Sequence, residues 1–403
     1  MTVDRVTAAD LLQLRTDVGP VPLNIAALLR LGPGASASTV AHTLRCRLPT
    51  VTRLRQVLVT TPPALGRPYW QDDPSFDVDE HVTIRPGPVA ADLGDLLELA
   101  ADLVTTPLPR TRPLWRAVVV TGHEGNQAVA VVIVVHHVLA DGMGGLALLA
   151  HLVDEAAPAS PPLDRTHPVT PSVGELVLDR VRAVVGSVAS LPSAWTHLRG
   201  GRAELGPGRV RAAPRCSLNH RTGPRRRLRC TSVDLDAIRA AARHHGGSVN
   251  DVLLVAATGA LRAVLRSRGE DLDELVVSVP ASGRTRADGR LGNHVGVMPV
   301  RVPLAGTPVQ RLVEVARRTR LQKTATRGAS SGLIGPAFGL LATLRVFQWV
   351  IDRQRLVNAF LTNVAGPPEP SASPAPRSRR SSRSRSPPAT SASPSRPCRM
   401  PAG

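Results

Sequence analysis

The chain has 403 residues, 42% of them hydrophobic, which suffices for a sizeable core and gives two domains as the natural expectation. Only nine residues are aromatic, so that core must be aliphatic. The net charge is +19, yet the arginine-rich stretches hold no aromatic residues for stacking on bases and match no nucleic-acid-binding motif, so no nucleic acid is expected as a partner.

From the N-terminus, MTVDRVTAADLL lacks a basic region followed by an apolar one, so no signal peptide is expected. PVPLNIAALLRL (20–31) reads as a strand, SASTVAHTLRCRL as a helix and RLRQVLVTTPP as another strand. GDLLELAADLVTTPL (94–108) has helical spacing of apolar residues. LWRAVVVTG and NQAVAVVIVVHHV read as neighbouring strands joined by the turn GHEGN. GGLALLAHLVDEAA follows as a helix that Pro158, Pro161 and Pro162 break, and ELVLDRVRAVVGSVASL gives another.

Residues 199–229 hold ten arginines and one acid, Glu204. Past them TSVDLDAIRAAARHH is a helix with Ser232 or Asp234 as its cap. VNDVLLVAATGALRAVLRSRG is a strongly apolar helix with Gly269 near its end. ELVVSVPAS and HVGVMPVRVPL read as strands, TPVQRLVEVARRTRLQKTA as a basic helix, and LVNAFLTNVAGPP as a short apolar run with a turn. The result is two mixed α/β halves joined by a basic connector. Expected boundaries are 1–160, a helical and arginine-rich linker at 161–229, and a second half at 230–370.

Residues 371–403 are low-complexity Ser/Pro/Arg with seven arginines and no acid, a composition that predicts disorder. They are either a genuine basic tail or an out-of-frame reading of a GC-rich gene. Cys46, Cys216, Cys230 and Cys398 have no C-x-x-C spacing, which argues against a zinc site or a disulfide framework and fits a reducing compartment. No uncharged apolar run reaches the ~20 residues of a membrane-spanning helix. The nearest, GLIGPAFGLLATL (332–344), ends at Arg345.

One stretch carries chemistry: VVIVVHHVLADGMGG, 131–145. Alternate residues of a strand face opposite ways, so His136 and His137 cannot both face one cavity while the strand stays regular. That disfavours a metal site and favours one working histidine beside one packed histidine. Asp141 lies close enough to fix the loop, and amides near Gly142, Gly144 and Gly145 are free to approach a developing oxyanion. G-M-G-G-L-A (142–147) matches the loose dinucleotide pattern, but six residues separate the apolar run from its first glycine and no parallel strand follows. G-A-S-S-G (328–332) matches the nucleophile-elbow pattern, but RLQKTATR, not a buried strand, precedes it. With no credible serine or cysteine nucleophile, direct transfer is the simplest chemistry, with His137 as general base for an acceptor hydroxyl.

These residues resemble a known family. HHVLADG resembles the HHxxxDG motif of condensation-domain and chloramphenicol-acetyltransferase-like acyltransferases. GRPYWQDDPSFDVDEHV (66–82), the PLW triplet Pro113, Leu114 and Trp115, SLNHRTGPRRRLRC, the ND pair Asn250 and Asp251, VPASGR, LGNHVGVMPVRVPL and TNVAGPPEP narrow it to the bacterial wax ester synthase/diacylglycerol acyltransferase family. The resemblance spans nearly all of residues 1–370.

It implies an α/β fold of two chloramphenicol-acetyltransferase-like mixed-sheet domains with a tunnel between them. It also implies acyl-CoA as a substrate rather than a cofactor, no metal, and diacylglycerol or a long-chain alcohol as acceptor. His137 is then the general base, His136 a supporting motif residue, Asp141 a structural support of the motif loop, and Gly142 an oxyanion amide. The PLW and ND residues shape the site; packing for Trp115 and helix capping for Asn250 and Asp251 are their bland alternatives. Two other functions stay open: a condensation-type transferase using a carrier-protein thioester, and a catalytically degenerate member. The Ser/Pro/Arg tail stands where the family continues with strands, so the C-terminal domain is expected to be incomplete. The basic surface is expected to meet CoA phosphates or anionic lipid. That places the protein in the cytoplasm, peripherally on the inner membrane face or on lipid droplets. The 332–350 segment, with Trp349, is either an interfacial docking element or a buried core helix.

Overall fold

The apolar run 131–135 becomes an inner strand of a four-stranded sheet. The computed structural model describes residues 3–88, 92–123, 125–140, 145, 152, 170–189, 212–282, 295–325 and 346–364. Helix α1 (Ala8–Thr16) precedes strand β1 (Asn24–Arg30). Helix α2 (Ala37–Arg47) leads to the antiparallel pair β2 (Gln56–Val59) and β3 (Tyr69–Asp72). Then come β4 (Val82–Pro86), α3 (Leu93–Thr105), β5 (Trp115–Thr121) and β6 (Ala128–His136).

The sheet order is β1-β6-β5-β4, antiparallel except for the parallel β4–β5 pair. Nearly every residue of β6 is buried, which explains why its sequence is a continuous apolar run rather than an alternation. Alanines and leucines of α2 (Ala37, Ala41, Leu44) and α3 (Leu96, Ala100, Leu103) join its valines in one core. Each fully buried valine or leucine contributes about 1.5–3 kcal/mol.

The strand stops two residues earlier than its sequence suggests. His137 and Val138, expected to continue β6, form a turn. The Val138 amide donates to His136 Nδ1 at 3.1 Å, so it is taken out of the ladder. The prolines Pro20 and Pro22 likewise hold the start of β1 back to Asn24.

Helix α4 (Val173–Ala189) is tied to the N-terminal half by Arg5. The Arg5 guanidinium pairs with Asp179 at 2.8 Å and donates to the Leu65 and Leu176 carbonyls. The second half holds α5 (Leu235–His244), α6 (Val249–Ser267), β7 (Glu274–Ser282), β8 (Val295–Pro303), α7 (Pro308–Ala325), α8 (Phe347–Ile351) and β9 (Ala359–Phe360). β7 pairs antiparallel with β8 and parallel with β9. Leu254, Val277, Met298, Val300, Val302, Leu312 and Val315 form its core, apart from the first cluster.

Of the two expected caps for α5, Asp234 is the one used, accepting the Ala237 amide at 2.7 Å. Gly269 (φ 77°) ends α6 in the left-handed conformation: its amide reaches the Arg266 carbonyl and that of Glu270 reaches Leu265. The helix expected at 144–157 and the disordered tail at 371–403 lie outside the described residues, apart from Gly145 and Leu152.

Candidate active site

The site begins where β6 ends. Asn24 of β1 faces His136 across the ladder as its last pair. The His137 amide donates to the Leu23 carbonyl at 2.8 Å, and the His136 amide donates to the Leu114 carbonyl at 2.9 Å. The Leu139 amide returns to the His136 carbonyl at 2.9 Å and closes the turn. Tying the main chain at each of these residues leaves little freedom in where the two imidazoles stand.

The two histidines differ in exposure. His136 is 3% exposed, whereas His137 is half-buried on the turn. Because His136 Nδ1 accepts the Val138 amide, it carries no proton, and the ring's proton sits on Nε2. That N–H donates to Asp17 Oδ2 at 3.2 Å.

Asp17 is a hub that no local sequence signal announces. Its Oδ1 accepts the Leu23 amide at 2.8 Å, and its Oδ2 also accepts from Arg110 at 2.7 Å. Burial on its own would raise the carboxyl's pKa. The hydrogen bonds from His136 and Leu23, with the Arg110 charge behind them, outweigh burial and hold it below the usual range.

A cavity of about 240 Å³ opens on this side of the strand. Asp17, Asn24, Leu108, Arg110, Leu114 and His136 are among its walls, and His137 is not. Gly19 lies at its rim, where a Cβ would come within 3.3 Å of Gln348 Oε1, so α8 of the second half approaches the same rim.

The other expected residues divide. Pro113 and Leu114 are buried beside the histidines, and Leu114 supplies both the carbonyl that holds His136 and part of the cavity wall. Trp115, one residue on, turns the other way into the core: it is 2% exposed, and its indole N–H donates to the Leu54 carbonyl at 2.7 Å. Its ring stacks on His81 at 4.5 Å, and His81 Nδ1 donates to the Trp115 carbonyl at 2.8 Å. Burial pushes the His81 pKa down, against the opposing effect of that hydrogen bond.

Asp251 is 3% exposed, with its carboxylate already occupied. Oδ2 accepts from the Ser248 amide and hydroxyl, and Oδ1 accepts from Thr319 of α7 at 2.8 Å. This is a capping box with Ser248 as the N-cap, so the helix-start reading of the pair holds for Asp251, with the cap itself two residues before Asn250. Asn250 sits half-buried in the first turn of α6. Asp141 and Gly142 lie outside the described residues.

The profile of the wax ester synthase/diacylglycerol acyltransferase catalytic domain matches residues 7–253. A probable diacylglycerol O-acyltransferase of Mycobacterium tuberculosis is 31% identical over 366 residues, covering 87% of this chain and 78% of the relative. A second M. tuberculosis protein, a putative diacylglycerol O-acyltransferase, is 28% identical over 395 residues, covering 91% of this chain and 77% of its own.

Among solved structures, the wax ester synthase/diacylglycerol acyltransferase of Marinobacter aquaeolei VT8 superposes with a TM-score of 0.61 at 20% identity, over 90% of this chain and 82% of that one. The first condensation domain of the calcium-dependent antibiotic synthetase gives 0.53 at 18% identity, over 81% and 76%. These likenesses establish the fold as the mixed α/β architecture shared by wax ester synthases and condensation domains.

Proposed function

Because the chain belongs to the wax ester synthase/diacylglycerol acyltransferase family, we propose that it transfers a fatty acyl group from acyl-CoA to diacylglycerol or a long-chain alcohol, with His137 as general base. The supporting observation is the division of labour at the end of β6: His136 is buried and committed to Asp17, while His137 stands half-buried on a tied turn.

His137 takes the proton of the acceptor hydroxyl as its oxygen attacks the thioester carbonyl. The tetrahedral intermediate then collapses, the carbon–sulfur bond breaks, and the departing sulfur receives that proton as free CoA. The products are triacylglycerol or wax ester and CoA-SH. Asp141 supports the loop and the Gly142 amide faces the oxyanion in this scheme. General-base assistance supplies about 10²–10⁴-fold, and positioning two substrates and stabilising the oxyanion supply the rest.

The protein works from the cytoplasm at the inner membrane face or on lipid droplets, touching the surface without crossing it. No single helix among the described residues is long and apolar enough to span a membrane. Trp349 is 60% exposed, and Val177, Leu178, Val181, Val184 and Val185 of α4 are all exposed. The exposed arginines Arg221, Arg225, Arg226, Arg227 and Arg229 suit anionic headgroups or CoA phosphates.

Incubation with labelled palmitoyl-CoA and either diacylglycerol or hexadecanol tests the reading. Labelled ester that disappears in His137→Ala is expected. No ester with any acceptor, or ester still formed at the wild-type rate by His137→Ala, contradicts it.

A further inference from the structure

A residue one step beyond the end of a strand has lost the ladder on one side, so something else must fix it. Here four bonds do so, and two of them end on one carboxylate. The His137 amide is held by the Leu23 carbonyl, and the Leu23 amide is held by Asp17 Oδ1. The His136 ring, which holds the Val138 amide on the far side of His137, is held by Asp17 Oδ2. Asp17 therefore grips both flanks of His137 without touching it. Its own side chain is 10% exposed, it closes the end of α1 by donating its amide to the Gln13 carbonyl at 3.0 Å, and Arg110 anchors its outer oxygen.

We propose that Asp17 is the positioning residue of this site: its carboxylate fixes, through Leu23 and the His136 ring, the turn from which His137 works. The proposal rests on the reading of His137 as the base. It requires a carboxylate and not merely a polar group. All three neighbours of Asp17, namely Leu23 N–H, His136 Nε2–H and Arg110, are donors, and only a carboxylate offers two acceptor oxygens to them. An amide must turn its NH₂ toward one of these donors. If it faces His136, the imidazole has to move its proton to Nδ1, and the Val138 bond breaks. If it faces Leu23, the strand that holds His137 is released.

The test uses Asp17→Asn in the full chain, beside Arg110→Ala and Arg110→Lys. Asp17→Asn is expected to lower kcat about 10- to 100-fold with KM for palmitoyl-CoA within about twofold of wild type, the size typical of lost supporting bonds. Nitrogen-15 spectra should show His136 as the Nε2–H tautomer in the wild type and no longer so in Asp17→Asn. Arg110→Ala should reduce kcat less, and Arg110→Lys should restore it, because a single bond to an exposed cation is what is lost. An Asp17→Asn enzyme with wild-type kcat overturns the proposal. So does one in which kcat, KM and melting temperature worsen together while the His136 tautomer is unchanged. Turnover by His137→Ala is the separate control: activity surviving there refutes the base, whereas wild-type kcat in Asp17→Asn refutes the positioning and leaves the base standing.

Discussion

At the scale of single residues, burial sorts the chemistry. His81, Trp115, His136 and Asp17 are all enclosed, and the contributions of His81 and Asp17 to stability are lost over different pH ranges. Burial depresses the His81 pKa, so the folded state binds fewer protons than the unfolded one below the ordinary histidine value of about 6.5. Stability contributed by neutral His81 is therefore present above that value and declines as pH falls toward the lower folded one. His81→Phe, which keeps the stack on Trp115, should flatten the fall in melting temperature between pH 7 and pH 5; an unchanged slope would count against this. Asp17 behaves as a depressed carboxyl: its contribution is full above its ordinary pKa of 3.8 and is lost as pH falls through the lower folded value. Trp115 separates packing from catalysis. Trp115→Ala should cost about 3–5 kcal/mol of stability. Trp115→Phe, which loses only the bond to the Leu54 carbonyl and part of the ring, should melt lower yet turn over near the wild-type rate. A large loss of kcat in a stably folded Trp115→Phe would assign the ring to the site instead.

At the scale of elements, the chain is held by its ends as much as by its faces. The Ser248–Asp251 capping box starts α6, and Thr319 joins it to α7. Ser248→Ala should cost about 1 kcal/mol by chemical denaturation, and Asp251→Ala more, because three donors then lose their acceptor in a buried place. An Asp251→Ala protein as stable as wild type would show that the box is dispensable. The elements legible in the sequence are α2 to α7, β1, β2 and β5 to β8, the clearest being those with long apolar patterns, α3, α6, β5, β6, β7 and β8. Helix α1 and strands β3 and β4 are not, because they are short or carry charges and prolines, as in YWQD and VTIRP, and are fixed by partners distant in the chain. Alternation distinguishes His136 from His137 only for a strand that continues, and the early end of β6 could not be foreseen, since it depends on an imidazole capturing the Val138 amide. Asp17 lies in TDVGPVP, 119 residues from His136, with nothing nearby to mark it.

At the scale of the whole molecule, the described part of residues 1–364 belongs to one unit that holds separate apolar clusters. The connector helix α4 is bound to the first half through Arg5 and leaves Val177, Val181 and Val184 exposed. The proposed contact with a lipid surface would use these exposed valines. Replacing Val177, Val181 and Val184 with serine should reduce flotation with anionic vesicles while ester synthesis from detergent-dispersed substrates persists; undiminished flotation would remove α4 from the contact.

The central claim concerns one imidazole, and the rate of palmitoyl transfer by His137→Ala tests it most directly. A protein with the wild-type melting temperature and a transfer rate lower by about 10²-fold or more is the expected result. A folded His137→Ala protein that esterifies diacylglycerol or hexadecanol as fast as wild type would contradict it.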